Sequence, residues 1–255
     1  MSSGPLSLPA RFGRYELVDH IATGGMAEVF LARSFGVQGF QKHVVVKRLR
    51  PGLAQNPRMV QLFVQEARIS AGLVHPNIAQ IHELGTVRSG PVDSHYIAME
   101  YVHGQDLTRV RRALHERGRT LPVDLALYCA VRVLRALAYA HERADAHGRP
   151  LGLVHRDVSP HNVLVSFQGE VKLVDFGIAR LEGDVVQSQL PGGGKYAYMS
   201  PEQASGLPLD GRSDVFSAGI LLWELLVGHR LFQHPDPDEK LRRVRAAEVL
   251  DPGLE

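Results

Sequence analysis

The chain has 255 residues, 44% apolar and 22% charged, which suits a soluble globular protein of one large domain or two lobes. Twenty-nine Lys and Arg against 27 Asp and Glu leave a formal charge of +2, and no long basic run or interleaved aromatic stripe argues for a nucleic-acid partner. A single cysteine, Cys129, excludes an intramolecular disulfide and fits a reducing compartment; the longest apolar stretch, around "AGILLWELLV", is too short to cross a bilayer; and no secretory apolar region opens the chain, so a cytoplasmic protein without a membrane segment is expected.

Residues 1–12, rich in Ser, Pro and Gly, read as a disordered tail. From Tyr15 to Tyr101 the pattern is mainly strands: "YELVDHI", "EVFLAR", "HVVVKRL", "AQIHELGTV" and "HYIAMEY", short and β-rich between Gly or polar turns. One helix interrupts them, with Asn56 as N-cap and Pro57 at its first position. After Tyr101, "LALYCAVRVLRALAYAHER" and "SDVFSAGILLWELLVG" carry apolar residues at i, i+3, i+4 and i+7, the helical period. The arginines of "TRVRRALHERGR" and "KLRRVRAA" read as solvated helix faces. Short strand pairs around "NVLVS" and "VKLVDF" lie between the helices. The expected architecture is α+β and bilobal, a small β-rich lobe and a larger helical lobe with a cleft between them, where ligand sites tend to form.

Gly24 and Gly25 in "IATGGMAEVFLA" let a backbone approach a phosphate and offer N–H donors, although two adjacent glycines are more often an ordinary hairpin turn. Lys47 lies in an apolar strand, where by itself it would simply snorkel to water. The helix shifts that balance. Met59, Phe63, Glu66 and Ser70 share one face, and a carboxylate on such a face needs a partner, for which Lys47 is the candidate. In "HRDVSPHN", Asp157 suits proton acceptance from an attacking hydroxyl, while Asn162 and Asp175 supply two hard oxygen ligands of the kind Mg²⁺ takes. Cys129 sits in an apolar helical pattern and reads as core.

Taken in order, these stretches resemble a eukaryotic-type protein kinase, nearest to the bacterial serine/threonine kinases. A glycine-rich loop (22–29) is followed by Lys47, Glu66 and a hinge "MEYV" (99–102), then by "HRDVSPHN", "DFG", "SPE" (200–202) and "SDVFSAGILLWEL". Eight signatures in register over residues 15–228 make the resemblance specific. It implies a kinase N-lobe and hinge over 13–102 and a C-lobe over 103–255. It implies that Lys47 holds the α/β-phosphates of ATP and pairs with Glu66, and that Ile21, Gly24, Gly25, Val29, Val45 and Leu164 shape the nucleotide site. Met99 would be the gatekeeper, with Glu100 and Val102 meeting adenine through backbone groups. Asp157 would be the catalytic base, Asn162 and Asp175 would hold Mg²⁺, and Asp214 would brace the catalytic loop. Asp214 could equally be a plain helix N-cap.

The chain departs from the family pattern at several points. Ala22 and Ala27 replace glycines, which predicts a stiffer loop if those positions need positive φ. Val45 narrows the purine slot. The segment Ile178–Met199 holds one serine, Ser188, and no threonine, so ordering by Glu182 or Asp184 is as reasonable as ordering by phosphorylation. The family's helical lobe continues past "EVLDPGLE", so the C-lobe is expected to be incomplete, with exposed apolar surface and Glu202 lacking its usual arginine. Ser159 stands where the family has Lys, and Lys195 where it has a contacting Thr, an apparent exchange that would bring an ammonium to the transferring phosphate from the opposite wall. The expected function is a signalling serine/threonine kinase that uses ATP and Mg²⁺ on a protein substrate. Tyrosine specificity is less favoured, since the catalytic loop lacks the Ala/Arg pattern of tyrosine kinases. The alternative is a pseudokinase or nucleotide-binding regulatory module without turnover.

Overall fold

The computed structural model describes residues 7–88, 93–176, 195–249 and 251, and of Lys195 the backbone alone. The chain divides into two compact units. The first comprises Met1–Val74 and Ala79–Tyr101, the second His75–Ile78 and Val102–Glu255.

Among its described residues the first unit is a six-stranded antiparallel sheet with one α-helix and a short 3-10 turn at Val37–Gly39. The strands are β1 (Ala10–Phe12), β2 (Tyr15–Thr23), β3 (Ala27–Phe35), β4 (Gln41–Leu49), β5 (Ile81–Arg88) and β6 (Asp93–Glu100), in the spatial order β1-β2-β3-β4-β6-β5. Alternation along β4 sends Val44, Val46 and Arg48 to one face and Val45, Lys47 and Leu49 to the other. On the first face Phe12, Tyr15, Leu17, Phe30 and Tyr96 form a core. Arg48 lies over the rings of Phe12 and Phe30 and pairs with Glu28 at 2.6 Å, so its buried charge is offset. The second core, Ala27, Leu49 and Ile97, is closed by Phe63 and Ala67 of α1 (Pro57–Ala71). Asn56 caps α1 by accepting from the N–H groups of Arg58 and Met59, with Pro57 opening the helix. Residues 10–12 differ from the disordered tail expected of them. Phe12 is buried beside Tyr96 at 5.5 Å, and that apolar anchor orders a strand which composition alone does not reveal.

In the second unit two short strand pairs were expected. They form instead one three-stranded sheet of β7 (Gly104–Asp106), β8 (Val163–Ser166) and β9 (Val171–Leu173). Gly104 permits it, because a Cβ there would lie 1.9 Å from the carbonyl oxygen of Val165. Residues 75–78 belong to this unit because Asn77 ties them to β9: Leu173 N–H donates to Asn77 O, and Asn77 Nδ2 donates to Val171 O, both at 2.8 Å. The helices are α2 (Leu107–His115), α3 (Val123–His141), α4 (Pro201–Ala204), α5 (Gly211–Val227) and α6 (Pro237–Arg245). Small residues on the buried face of α3, among them Ala126, Ala130, Ala136 and Ala140, let α5 approach closely. Cys129 lies in that face, and burial pushes its thiol up to about 11, as a core cysteine requires. The opposite face of α3 leaves Leu127, Val131 and Leu134 exposed. Among the described residues no helix is long and apolar enough to cross a membrane.

Candidate active site

In the first unit the strand alternation that turns Lys47 toward α1 brings its Nζ to 2.7 Å from Glu66 Oε1. Their side chains are 12% and 11% exposed, so each charge stands largely out of water and opposite the other. Val29 is the cross-strand neighbour of Lys47, and Val45 that of Met99. Ile21 ends exposed on β2, and Glu100 closes β6, its N–H donating to Gln80 O at 2.8 Å. Gly24 and Gly25 form the β2–β3 turn, with Gly24 N–H donating to Ala27 O at 2.8 Å. The strain expected at Ala22 and Ala27 does not occur. Both lie in strands, paired with Val29 and Leu49, and neither has a positive φ, so alanine costs nothing there. Val102 and Leu164 belong to the second unit, with Val102 buried.

In the second unit the catalytic-loop candidates are held from several sides. Asp214 is 1% exposed. It accepts the backbone N–H of His155 at 2.7 Å and of Arg156 at 2.9 Å, and its Oδ2 lies 2.7 Å from His141 Nε2. It is a brace and not the helix cap, since Asp210 caps α5 by accepting from Arg212 N–H. Arg156, with φ 65°, is one of two non-glycine residues in this stretch held in the left-handed region. The other is Asp175, at φ 55°, and such backbone costs of order 1–3 kcal/mol each when the surroundings enforce it. His155 is fully buried. Its Nε2–H donates to Val174 O at 3.1 Å, while its Nδ1 accepts the N–H of Asp157 at 3.2 Å. Burial lowers its pKa, and this bonding needs the neutral ring, whose one N–H is already committed.

Asn162 Nδ2 donates to Asp157 O at 2.8 Å and to Asp157 Oδ2 at 3.1 Å, which orients the Asp157 carboxylate and leaves the amide oxygen as the end suited to a cation. Val174 N–H donates to Asn162 O at 2.9 Å, tying the loop to the strand end that leads into Asp175. Asn162 and Asp175 fit a divalent metal by donor type: one neutral and one anionic hard oxygen, short of the set that would hold an ion alone.

A family model for the protein kinase domain matches residues 15–250. The chain belongs to the protein kinase domain family. Its members use ATP with a divalent metal. Among curated proteins this kinase domain is 40% identical over 251 residues to the tyrosine-protein kinase MasK of Myxococcus xanthus, covering 98% of this chain and 38% of that one. It is 41% identical over 250 residues to the probable serine/threonine-protein kinase SCO3848 of Streptomyces coelicolor, covering 95% and 35%, and 37% identical to PknB of Mycobacterium tuberculosis, covering 88% and 34%. The chain thus spans about a third of the length of these relatives. Among solved structures, the PknI kinase domain of M. tuberculosis superposes with a TM-score of 0.68 at 29% identity, over 92% of this chain and 80% of that one.

Several residues of this kinase domain that act on the site were not foreseen. His141 joins the Asp214 hub from 73 residues away. Gln203 donates through Nε2 to Arg156 O at 2.9 Å, linking the residue after "SPE" to the catalytic loop. Nothing local in the sequence marks either one. Glu202, expected to lack its usual arginine, accepts the Ser213 hydroxyl. Burial opposes its ionisation, but hydrogen bonds from Ser213 and the neighbouring backbone hold its pKa below the usual carboxylate range. Ser159 is buried at the start of the turn leading to Asn162. The Lys195 side chain, Gly177, Ser188, Glu182 and Asp184 lie outside the described residues.

Proposed function

We propose that this chain is the catalytic domain of a cytoplasmic serine/threonine kinase that transfers the γ-phosphate of ATP, with Mg²⁺, to hydroxyls of a protein substrate in signalling. The observation that carries the reading is the Asp157–Asn162 clamp on a loop whose backbone Asp214 fixes. A carboxylate so oriented accepts the proton of the attacking hydroxyl as its oxygen bonds to phosphorus. The bond from phosphorus to the bridging oxygen breaks, leaving a phosphoester and ADP. Lys47, held by Glu66, is the cation for the α/β-phosphates. Asn162 and Asp175 would hold the Mg²⁺, which when bound offsets phosphate charge. Ile21, Gly24, Gly25, Val29, Val45 and Leu164 line the nucleotide site in this reading, with Met99 as gatekeeper and Glu100 and Val102 offering backbone groups to adenine. Lys195 supplies the ammonium that Ser159 cannot.

The acceptor is assigned to serine or threonine from the names of the Streptomyces and Mycobacterium relatives. The intact set Lys47, Glu66, Asp157, Asn162 and Asp175 argues against a module without turnover. Titration of ATP with and without Mg²⁺ checks the metal assignment. Asp175→Ala is expected to abolish the Mg²⁺-dependent part of the affinity, and an unchanged dependence would refute the assignment.

A further inference from the structure

In the first unit, the turn from β3 to β4 places three large apolar side chains in water: Val37 is 86% exposed, Phe40 63% and Phe35 51%. Val37 is the most exposed large apolar side chain among the described residues. Single apolar residues on a surface are ordinary, but three within one turn mark an interaction site. The turn is shut by its own backbone. Gly36 N–H donates to Phe40 O at 2.8 Å and Phe40 N–H to Val37 O at 3.1 Å, while Gln38 at φ 54° and Gly39 at φ 79° reverse the chain in the left-handed region. Phe35 and Gln41 pair as the last rung of the ladder below it. The apolar side chains therefore stand on a fixed, convex tip.

Behind the tip lies a hollow of about 290 Å³ lined by Arg33, Gln41, Lys42 and His43. Small-molecule sites begin near this size. Residues 33–43 hold two permanent cations, one histidine and no acid. Glu16 stands 3.4 Å from Arg33, but both side chains are substantially exposed, so that pair holds the guanidinium weakly. On β6, Glu100 is the cross-strand neighbour of Val44. Lys42 forms no ion pair among the described residues, and the His43 ring meets Tyr101 edge-on at 6.0 Å. A guanidinium fork, an ammonium and the amide of Gln41 together make a donor set suited to a phosphate.

The arrangement of the two features decides the partner. A groove would receive a side chain of a peptide, whereas a convex apolar tip encloses nothing and needs a medium that closes round it. Arg33 and Lys42 each stand two residues from the phenylalanine at their end of the turn, roughly 7 Å along the strand. Interfacial apolar groups enter the boundary between headgroups and acyl chains by about 5–10 Å, which leaves cations at that distance level with the headgroups. We propose that this tip is a peripheral contact with an anionic bilayer. Phe35, Val37 and Phe40 enter the acyl boundary, and Arg33, Lys42 and His43 take a lipid phosphate in the hollow. Nothing in this contact depends on phosphate transfer.

Co-sedimentation of the 255-residue chain with vesicles tests it. One set is phosphatidylcholine alone, the other an equimolar mixture of phosphatidylcholine and phosphatidylglycerol. Partition onto the anionic set is expected to be at least tenfold stronger at low salt, an advantage that shrinks as salt rises. Lys42→Glu should bring the two sets close together, and Val37→Asp should weaken anionic binding at least tenfold. Both positions are exposed, so the melts of these variants should match that of the wild type. Phe40→Trp should move tryptophan emission to shorter wavelength on the anionic set. Equal partition onto both sets, or anionic binding that Val37→Asp leaves intact, would overturn the proposal. Binding of soluble glycerol phosphate without partition onto either set would overturn it in favour of a free-anion site. Self-association that Val37→Asp abolishes, again without vesicle binding, would overturn it in favour of a contact between two copies of the chain.

Discussion

In the first unit the buried acid Glu66 meets the tip of a lysine side chain; in the second, Asp214 meets two backbone N–H groups and a histidine ring. The Lys47–Glu66 pair joins two long, jointed side chains, and its geometry can be lost and remade by rotamer changes alone. Asp214 grips main chain, and the loop it grips includes Arg156, whose left-handed backbone would relax if released. The difference separates two jobs. On the proposed reading, Asp214 belongs to the architecture of the catalytic loop, whereas Lys47 serves the ligand.

Substitutions at Asp214, Lys195 and Lys47 break or sharpen that contrast. The largest effect is expected from Asp214→Ala, which strands two buried N–H groups and frees a strained loop. The chain should lose about 3 kcal/mol or more of stability and with it phosphate transfer, as read by denaturant melts and turnover together. Next comes Lys195→Ala. If its ammonium replaces the one missing at Ser159, kcat should fall roughly a hundredfold, about 2.7 kcal/mol, with the melt unchanged. Ser159→Lys in that background should then restore part of the rate. Lys47→Met combined with Glu66→Gln, which leaves no buried charge unpaired, should cost more than tenfold in turnover yet under about 1 kcal/mol in stability, because the pair's Coulomb gain is set against its desolvation. A large melting shift for that double variant would erase the contrast between the units.

The smallest effect is a pH dependence. His155, His75 and His82 all have pKa values lowered, chiefly by burial, with Arg135 and Lys172 adding at His75 and Lys42 at His82. Their folded-state values lie below the ordinary 6.5, so the unfolded chain takes protons first as pH falls. Stability is complete above pH 6.5 and declines below it. Melting temperature should drop by a few degrees between pH 7.5 and 5.5. His155 also accepts the Asp157 N–H only when neutral, so turnover should decline only once pH falls through its lowered pKa, below 6.5.

Where chemistry and periodicity coincided, the sequence was readable. Asn56 and Pro57 announced α1; a carboxylate on its apolar face made Lys47 the candidate partner; and the family pattern offered Asp214 as a brace, beside the plain helix cap it could equally have been. The features that escaped are those set by contacts between distant segments. Gln105 pairs with Val165 because Gly104 lets two backbones touch, not because "GQD" favours a strand. Arg111 reaches Glu224 across 113 positions, and from the sequence that arginine looked like part of a solvated face. Ala22 and Ala27 misled in the other direction, since the loop's positive-φ requirement was inferred from the family and these strands do not have it.

Transfer of labelled γ-phosphate from ATP and Mg²⁺, followed by identification of the phosphorylated amino acid, tests the central claim. Wild-type chain and Asp157→Asn are assayed side by side on one acidic and one basic generic protein. The expected result is phosphoserine or phosphothreonine with the wild type and none with Asp157→Asn, at matched melting temperatures. Equal transfer by the variant would contradict the role of the Asp157–Asn162 clamp, phosphotyrosine alone would contradict the acceptor class, and no transfer by a folded, ATP-bound wild type would contradict the catalytic reading itself.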